Sequence, residues 1–371
     1  MNEPIKRNIL LNPGPATTTD SVKYALVVPD ICPREKEFCR VMVEVRQKLV
    51  KVVNGGDKHT AIVFAASGTG GVEACLSSVV PPGKKILVVI NGAYGTRMAK
   101  IAEIYYGKER VLKYEIKYGR YPNIDDLQKL IEDNKDLSHI GVIHHETTTG
   151  MLNPVKDVCR IAHEKNIEVI VDAMSSYAGI VIDIEKDGFD YIISSANKCI
   201  QGMAGLTFVI TAKEKLDKAK DYPKNNLYFN MWEQHAYFEK TGEMRYTPPV
   251  QIIYALNKAL DEFFVETAEK RYRRFSDSWQ VLTDGLKKLG FEFFLPLDQH
   301  SRILTAVLEP DRPGYDFNEM HDYLYSRGYT IYPGKLENMN TFRVANMGAI
   351  DKEDIKKFLA VLEEYLKSKG L

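Results

Sequence analysis

Short apolar runs alternate with amphipathic stretches from about residue 60 to residue 210. The runs, among them IVFAA and ILVVI, predict buried strands at 62–66, 86–90, 140–144, 168–172, 191–194 and 206–210. Apolar residues at helical spacing between them predict helices at 69–79, 95–105, 124–131 and 154–163. Nearly continuous apolar strands separated by helices are typical of a mainly parallel sheet that is covered on both faces. The pattern therefore predicts an α/β fold.

Helical patterns continue on both sides of this block. Apolar residues from Phe38 to Val52 recur at helical intervals between Pro33, where a helix would begin, and Asn54-Gly55-Gly56, where it would end. After Pro248-Pro249 the pattern predicts long helices over about 250–289, strands at 291–295 and 303–308, and helices at 316–327 and 351–369. We expect a large domain at 15–255 and a smaller C-terminal α+β domain at 256–371, which also takes in residues 1–14.

The composition narrows the class of protein. The 371 residues include 50 Lys and Arg against 50 Asp and Glu, so the formal net charge is zero. This balance argues against general nucleic-acid affinity, which needs surplus positive charge, but it leaves small anionic ligands open. Five cysteines without CxxC spacing suit a reducing compartment. Because no apolar run suits a signal peptide or a membrane span, we expect a cytoplasmic enzyme with no membrane contact.

A glycine-rich turn, Ser67-Gly68-Thr69-Gly70-Gly71, lies between a predicted strand and a predicted helix. Backbone N–H groups at the start of a helix can hold phosphate oxygens, and the Ser and Thr hydroxyls can assist. Many such turns are glycine-rich only for packing, so the turn alone leaves both interpretations open. It lacks the Lys-Ser/Thr pair of a Walker motif.

Asp172 and Lys198 give a sharper signal. Asp172 ends the run EVIVD, and Lys198 follows the strand DYIIS in a setting of small residues where solvated lysines are uncommon. Separately, they could be a salt-bridging carboxylate and a loop lysine. With a phosphate-binding turn, however, the pair suits pyridoxal 5'-phosphate, since a lysine forms the Schiff base and an aspartate keeps the pyridine nitrogen protonated.

Several motifs together resemble the class V aminotransferases of pyridoxal-phosphate fold type I. They are SGTGGVE, NGAYG, HHETTTG, VDAMSSYAG, SSANKCIQG, TPPV and FRVANMG, in that order along the chain. Within that family, residues 12–38 are similar to 2-aminoethylphosphonate–pyruvate aminotransferases. The resemblance implies a large sheet domain with a smaller C-terminal domain and transamination between an aminophosphonate and pyruvate, in either direction.

The resemblance also implies residue roles at the cofactor. Lys198 would be the Schiff-base lysine and later a base, Asp172 would pair with the pyridine nitrogen, Tyr94 would stack on the ring, and Thr147 would bond near its phenolic oxygen. The residues implied to lie at the cofactor phosphate are Ser67, Gly68, Thr69 and Asn197, with Thr247 contributed by a second subunit. A homodimer with shared active sites is therefore expected.

For the substrate, the resemblance assigns Arg343 to the acidic group. A guanidinium binds carboxylate or phosphonate bidentately, which suits a site that must accept both. Because a phosphonate carries up to two negative charges, we hypothesise that at least one of Arg34, Arg245 and Lys335 assists Arg343. Arg245 is the best of the three because it adjoins Thr247. Alternatively, all three are surface charges.

Three other functions are conceivable for a chain with these residues. An alanine–glyoxylate or serine–pyruvate aminotransferase would share every cofactor residue named. A cysteine desulfurase is disfavoured because Asn197 stands where those enzymes place a histidine and no cysteine lies in the C-terminal part. A non-catalytic binding protein on the same fold would be expected to lack Lys198 or Asp172.

Three further patterns are given structural interpretations. His144-His145-Glu146 at a strand end has no third metal ligand at a suitable spacing, so we expect it to line the cofactor pocket and predict no metal. The basic run at 270–274 follows Glu266 and Glu269, which predicts a solvated helix face rather than a nucleic-acid site. Cys199 is interpreted as a buried packing residue.

Overall fold

The computed structural model describes residues 5–334, 336 and 339–371. Its α-helices are α1 (Asp20–Tyr24), α2 (Lys36–Val52), α3 (Gly68–Val79), α4 (Ala93–Tyr106), α5 (Ile124–Asp133), α6 (Val155–His163), α7 (Lys213–Ala219), α8 (Met231–Thr241), α9 (Val250–Glu266), α10 (Ala268–Lys288), α11 (Phe317–Ser326) and α12 (Lys352–Lys369). Its strands are β1 (Ile9–Leu10), β2 (His59–Ala65), β3 (Lys85–Ile90), β4 (Val111–Glu115), β5 (Leu137–Ile143), β6 (His145–Glu146), β7 (Met151–Leu152), β8 (Glu168–Asp172), β9 (Tyr191–Ser195), β10 (Leu206–Ala212), β11 (Leu304–Leu308), β12 (Tyr329–Thr330), β13 (Tyr332–Pro333) and β14 (Thr341–Ala345). Short 3₁₀ turns occupy Lys108–Arg110 and Leu297–Gln299.

The large sheet has seven strands in the order β2-β10-β9-β8-β5-β3-β4. All neighbours are parallel except β10, which is antiparallel to both β2 and β9. The six strands predicted from apolar runs are confirmed, with bounds that differ by up to three residues. The seventh strand, β4, was missed because its sequence VLKYE alternates buried and exposed side chains at the sheet edge.

Helices cover both faces of this sheet, as the apolar strands require. On one face, α2, α5, α6 and α9 pack on inward side chains such as Val63, Val142 and Val171. On the other face, α3 and α4 pack on Ile62, Val88 and Ile193. Because parallel strands all end at one edge, this two-faced burial leaves only the strand ends open to carry chemistry.

The C-terminal part forms a second sheet in the order β11-β14-β13, packed with α10, α11 and α12. The N-terminal strand β1 pairs in parallel with β12 and joins the same core. The predicted domain boundary at residue 255 falls inside α9, and Leu256, Leu260 and Phe263 of this helix pack in the core of the large sheet. The division into two domains stays a prediction.

Three expectations about local structure need correction. The strand predicted at 291–295 is wrong, because only Phe293 forms a bridge, to Val307, before Pro296 ends the extended segment. Helix α2 begins at Lys36 rather than at Pro33, with Glu35 as its N-cap.

The basic run at 270–274 is the third correction, since only part of it is a solvated face. Arg271 is only 2% exposed and Arg274 is half-buried, because both guanidinium groups bond to Glu266 and to backbone carbonyls. Lys270 and Arg273 are exposed.

None of the helices within the described ranges combines the length and the apolar character that crossing a bilayer requires.

Candidate active site

A cavity of about 370 Å³ opens at the carboxyl edge of the large sheet. Its walls come from the segments that follow β2, β3, β5, β8 and β9, which is where open α/β sheets bind ligands. Eight residues singled out in the sequence line it together: Ser67, Gly68, Thr69, Tyr94, Thr147, Asp172, Asn197 and Lys198. Residues more than 120 positions apart in the chain thus converge on one space.

Lys198 lies just beyond β9, where it is partly buried and lines the cavity. Burial lowers the pKa of Lys198, and Nζ donates a hydrogen bond to the Pro13 carbonyl. Gly14 allows this close approach: it has φ +132°, and a Cβ there would lie 2.4 Å from Lys198 Nζ. A lowered pKa increases the fraction of neutral amine, the form that acts as nucleophile or base.

Asp172 ends β8 inside the same cavity and is 6% exposed. Its Oδ1 accepts the N–H of Met174 at 3.0 Å. Burial raises the pKa of Asp172 to about 6, although this hydrogen bond and the charges of Lys198 and Arg97 oppose the rise. A buried carboxylate with so little direct compensation favours a cationic ligand group, because such a group would restore the ionised form.

The glycine-rich turn places Ser67 as the N-cap of α3, so that the first N–H groups of the helix face the cavity edge. Gly68 lines the cavity, whereas Gly70 and Gly71 serve packing: a Cβ on Gly71 would lie 2.1 Å from Thr207 Oγ1. The packing interpretation therefore applies to Gly70 and Gly71, whereas phosphate binding at Gly68 stays a prediction. The end facing the cavity suits a phosphate oxyanion.

Arg343, in the middle of β14, is 1% exposed and lies behind the cavity wall. Its guanidinium donates to the carbonyls of Pro333 (3.0 Å) and Thr147 (3.4 Å), and it bonds to the Tyr94 side chain. The group is therefore next to two lining residues, without itself lining the cavity. An anion that reached past Tyr94 would meet a fixed positive charge.

The other predicted substrate residues lie elsewhere in this chain. Arg34 bonds to Glu243 and to the carbonyls of Met244 and Arg245. Arg245 bonds to the Leu227 carbonyl and to the Tyr246 hydroxyl. Neither arginine lines the cavity, and Lys335 lies outside the described residues. Thr247 is exposed and also lies away from the cavity of its own chain.

Sequence reasoning missed Arg97, which lines the cavity one helical turn after Tyr94. Its NH1 group donates to Thr69 Oγ1 at 3.3 Å, and its guanidinium carbon lies 5.1 Å from the centre of the Tyr94 ring. The i,i+3 spacing from Tyr94 on a predicted helix was the available signal, because such residues share a face.

Of the HHE segment, His145 lines the cavity, whereas His144 and Glu146 do not. His145 faces the cavity and bonds to Ser301 at 2.8 Å, and burial lowers its pKa to about 3, so the ring is neutral. Glu146 is fully buried and accepts the N–H of Thr148 at 3.0 Å. Within the described part of the chain, no three His, Cys, Asp or Glu side chains form a metal-binding group.

The site thus combines an amine, a carboxylate and two places for anions. Lys198 and Asp172 flank one space, the start of α3 offers N–H groups at one end, and Arg343 lies beyond the wall formed by Tyr94 and Thr147. Such an arrangement can hold an anionic aromatic ligand, form a covalent bond to it through the lysine, and bind a second acid group.

Comparison with known proteins identifies a matching family and similar proteins. The profile of "Aminotransferase class-V" matches residues 21–311. A 2-aminoethylphosphonate–pyruvate transaminase of Syntrophobacter fumaroxidans is 38% identical over 358 residues, covering 96% of this chain and 95% of its own. A bifunctional phosphonoacetaldehyde hydrolase/aminoethylphosphonate transaminase of Clostridioides difficile is 37% identical, and the chain spans 56% of its length.

Solved structures show the same fold. The crystal structure of an alanine–glyoxylate aminotransferase from Nostoc superposes with a TM-score of 0.89 at 24% identity, covering 99% of this chain and 97% of that one. At this identity the likeness concerns the fold alone.

Proposed function

The chain belongs to the class V aminotransferases, and from this premise we propose that it transfers an amino group between 2-aminoethylphosphonate and pyruvate. The products are phosphonoacetaldehyde and L-alanine, and the same site serves either direction. The observation that carries the proposal is the meeting of Lys198, Asp172 and the start of α3 in one cavity, with Arg343 behind its wall. The relatives named above support the choice of substrates. The family and the fold type I architecture predicted from the motifs are confirmed.

The residues present fit pyridoxal 5'-phosphate as the cofactor. Lys198 would hold its carbonyl carbon, Asp172 its protonated ring nitrogen, and Ser67, Gly68, Thr69 and Asn197 would lie at its phosphate. The raised pKa of Asp172 supports this assignment, because a protonated ring nitrogen would supply the positive charge that the buried carboxylate needs. When bound, the cofactor supplies an electron sink for the carbon that carries the amino group.

The protein's own groups then bind, orient and move a proton. Neutral Lys198 takes the proton from the carbon that bears the amino group, and its lowered pKa favours that neutral form. Arg343 binds the phosphonate or the carboxylate. With the cofactor bound, Tyr94 would cover one face of the ring site and keep water from it, and Thr147 would bond at the phenolic oxygen.

The active unit in this proposal is a cytoplasmic homodimer. Thr247 supports this idea, because it is exposed and lies away from the cavity of its own chain, as a residue offered to a neighbour would. Arg245 would enter the partner's site beside it. No nucleic acid, membrane or metal takes part.

A panel of amino donors with pyruvate tests the substrate assignment. We expect turnover of 2-aminoethylphosphonate with pyruvate to exceed that of serine and other amino donors, with alanine formed in equal amount. Lys198→Ala should abolish both turnover and the absorbance band of bound cofactor. The proposal fails if alanine–glyoxylate turnover far exceeds that of 2-aminoethylphosphonate, which would favour the alternative enzyme class.

A further inference from the structure

We propose that Glu266, Arg271 and Arg274 are positioning residues that hold the Lys198 loop in register with the strand that carries Arg343. We call these three residues the corner network, since they lie where α9 meets α10. The inference rests on the roles proposed above for Lys198 and Arg343. It goes further by assigning a function to side chains about which the motifs say nothing.

The first connection runs from Arg271 to the lysine loop. Arg271 NH1 donates to the carbonyl of Cys199, the residue after Lys198, at 2.9 Å. Its Nε donates to Glu266 Oε2 at 2.6 Å. The Arg271 side chain is 2% exposed, so water has little access to its guanidinium. Arg271 therefore fixes the backbone next to the amine.

The second connection runs from Arg274 to the continuation of β14. Arg274 NH1 donates to the carbonyls of Gly348 (2.7 Å) and Ile350 (2.6 Å), five and seven residues after Arg343. Its Nε and NH2 donate to Glu266 at 2.7 and 3.1 Å. The Glu266 carboxylate thus bonds to both guanidinium groups. Arg271 holds the segment that carries Lys198, and Arg274 holds the segment that follows Arg343.

The backbone between α9 and α10 is strained at the turn that directs Glu266 toward the two arginines. Thr267 has φ +71° and ψ +156°, a region that is almost restricted to glycine and strained for other residues. This conformation turns the chain sharply from α9 into α10, so that Glu266 meets side chains four and seven residues into the next helix. The surrounding contacts must compensate for the strain.

Arginine is required at both positions because each guanidinium bonds in several directions at once. A lysine would keep the positive charge but has a single nitrogen, so it could not bridge Glu266 and a backbone carbonyl with the same planar geometry. Replacing arginine by lysine therefore tests geometry while the charge is retained.

The two arginines should affect different kinetic parameters. Arg271→Lys displaces the Lys198 loop, so we expect kcat to fall about tenfold with KM for 2-aminoethylphosphonate changed less than twofold. Arg274→Lys displaces the β14 segment and with it Arg343, so we expect KM to rise about tenfold with kcat nearly unchanged. Glu266→Gln should show both effects, since it loosens both arginines.

Arg46→Lys is the matched control. Arg46 is also buried, donating to the Ala61 carbonyl at 2.9 Å and to Glu239 at 2.9 Å, but it has no contact with the site. We expect it to lower the melting temperature about as much as Arg271→Lys while leaving both kinetic parameters unchanged. A purely structural role for the corner network would make the two variants alike.

A second readout is independent of turnover and of the substrate assignment. Pyridoxal phosphate is added to the apoprotein, and its covalent attachment to Lys198 is followed by absorbance across pH. Attachment should slow about tenfold in Arg271→Lys and Glu266→Gln, but not in Arg274→Lys or Arg46→Lys. If Arg271→Lys does not fold, Glu266→Gln still carries the test.

The failures are distinguishable. A wild-type protein that binds the cofactor but does not turn over 2-aminoethylphosphonate overturns the proposed function. A wild-type protein that turns it over, with corner-network variants that match Arg46→Lys in kinetics and cofactor attachment, overturns the inference. The inference is also overturned if Arg271→Lys and Arg274→Lys change kcat and KM to the same extent.

Discussion

Strand β8 carries a carboxylate at each end, and the two have opposite surroundings. Glu168, at its start, lies 3.0 Å from Lys215 Nζ, accepts the Tyr191 hydroxyl at 2.7 Å, and lies 3.4 Å from His139. Burial would raise the pKa of Glu168, but His139, Lys215 and Tyr191 outweigh it and hold this pKa well below its ordinary value. Asp172, at the other end, has its pKa raised to about 6 by burial.

The two nearby lysines repeat the contrast. Lys215 bonds Glu168 and Asp190, both at 3.0 Å, and these carboxylates raise its pKa although burial opposes them. Burial lowers the pKa of Lys198. Charges at the amino edge of the sheet are thus paired and stabilise the fold. At the carboxyl edge, similar residues lack that compensation, which makes them reactive and ready for a ligand.

Asp172→Asn, at the carboxyl edge, should have the largest effect on activity. Without a carboxylate to hold the protonated ring nitrogen, we expect kcat/KM to fall on the order of 10³-fold, about 4 kcal/mol. The measurement is steady-state transamination at saturating cofactor. If the variant retained more than a tenth of the activity, the role of Asp172 at the cofactor would be wrong.

Asp172→Asn should also make the apoprotein more stable than the wild type at higher pH. The pKa of Asp172 is higher in the folded than in the unfolded protein. The protonated carboxyl therefore makes its full contribution to stability below the unfolded-state pKa near 4, and this contribution is lost as the pH rises through the folded-state pKa of about 6. Relative to Asp172→Asn, the wild-type apoprotein should lose about 1–2 kcal/mol of unfolding free energy between pH 5 and pH 8. Urea denaturation at both pH values measures this, and excess cofactor should reverse the difference.

Glu168→Gln, at the amino edge, should lower stability and leave activity nearly unchanged. Removing one partner of a partly buried ion-pair cluster leaves Lys215 less compensated, so we expect a loss of about 2–3 kcal/mol in unfolding free energy at pH 7. Turnover of the folded fraction should stay within about twofold of the wild type, because the residue lies at the far end of β8 from the cavity. A large loss of kcat with unchanged stability would contradict the division of roles.

The carboxyl edge was largely predictable from the sequence, for a physical reason. Strands such as EVIVD are buried on both faces, so their apolar runs mark where they end, and the residues that follow must meet at one edge. Asp172 and Lys198 were singled out in this way. Their proposed roles follow from the chemistry of a lysine and a carboxylate beside a phosphate-binding turn, and the family resemblance implies the same roles.

The amino-edge cluster and the corner network were not predictable. Their partners come from helices and distant loops whose facing depends on packing, as for Arg271 and the Cys199 carbonyl, 72 residues apart. A charge run that resembles a solvated face has the same sequence pattern as one that is buried by such contacts. Arg97 escaped notice similarly, because its place depends on how α4 is rotated against the sheet.

Arg97→Gln tests whether the carboxyl edge holds anions as well as the amine. Among the described lining residues, Arg97 and Lys198 are the cations, and Arg97 bonds to Thr69 at the proposed phosphate end. Because Arg97 is exposed, we expect cofactor affinity to weaken only three- to tenfold, with a smaller effect at high salt. Titration of the apoprotein at two salt concentrations measures this, with Arg34→Gln as a control that lies outside the cavity. Equal affinities would exclude Arg97 from the phosphate end.

His163→Gln should produce the smallest effect and sharpen the amino-edge side of the comparison. His163 bonds to Asp190 at 2.9 Å, and this bond raises its pKa, but the imidazole is 43% exposed and Asp190 also has Lys215. We therefore expect a loss of only about 0.5–1 kcal/mol at pH 6. Because the folded-state pKa is raised, this contribution is present below the unfolded value near 6.5 and is lost as pH rises through the folded value. Wild type and variant should thus converge by pH 9 in urea denaturation. A difference that persisted there would mean that the neutral imidazole stabilises the fold by packing and not by its charge.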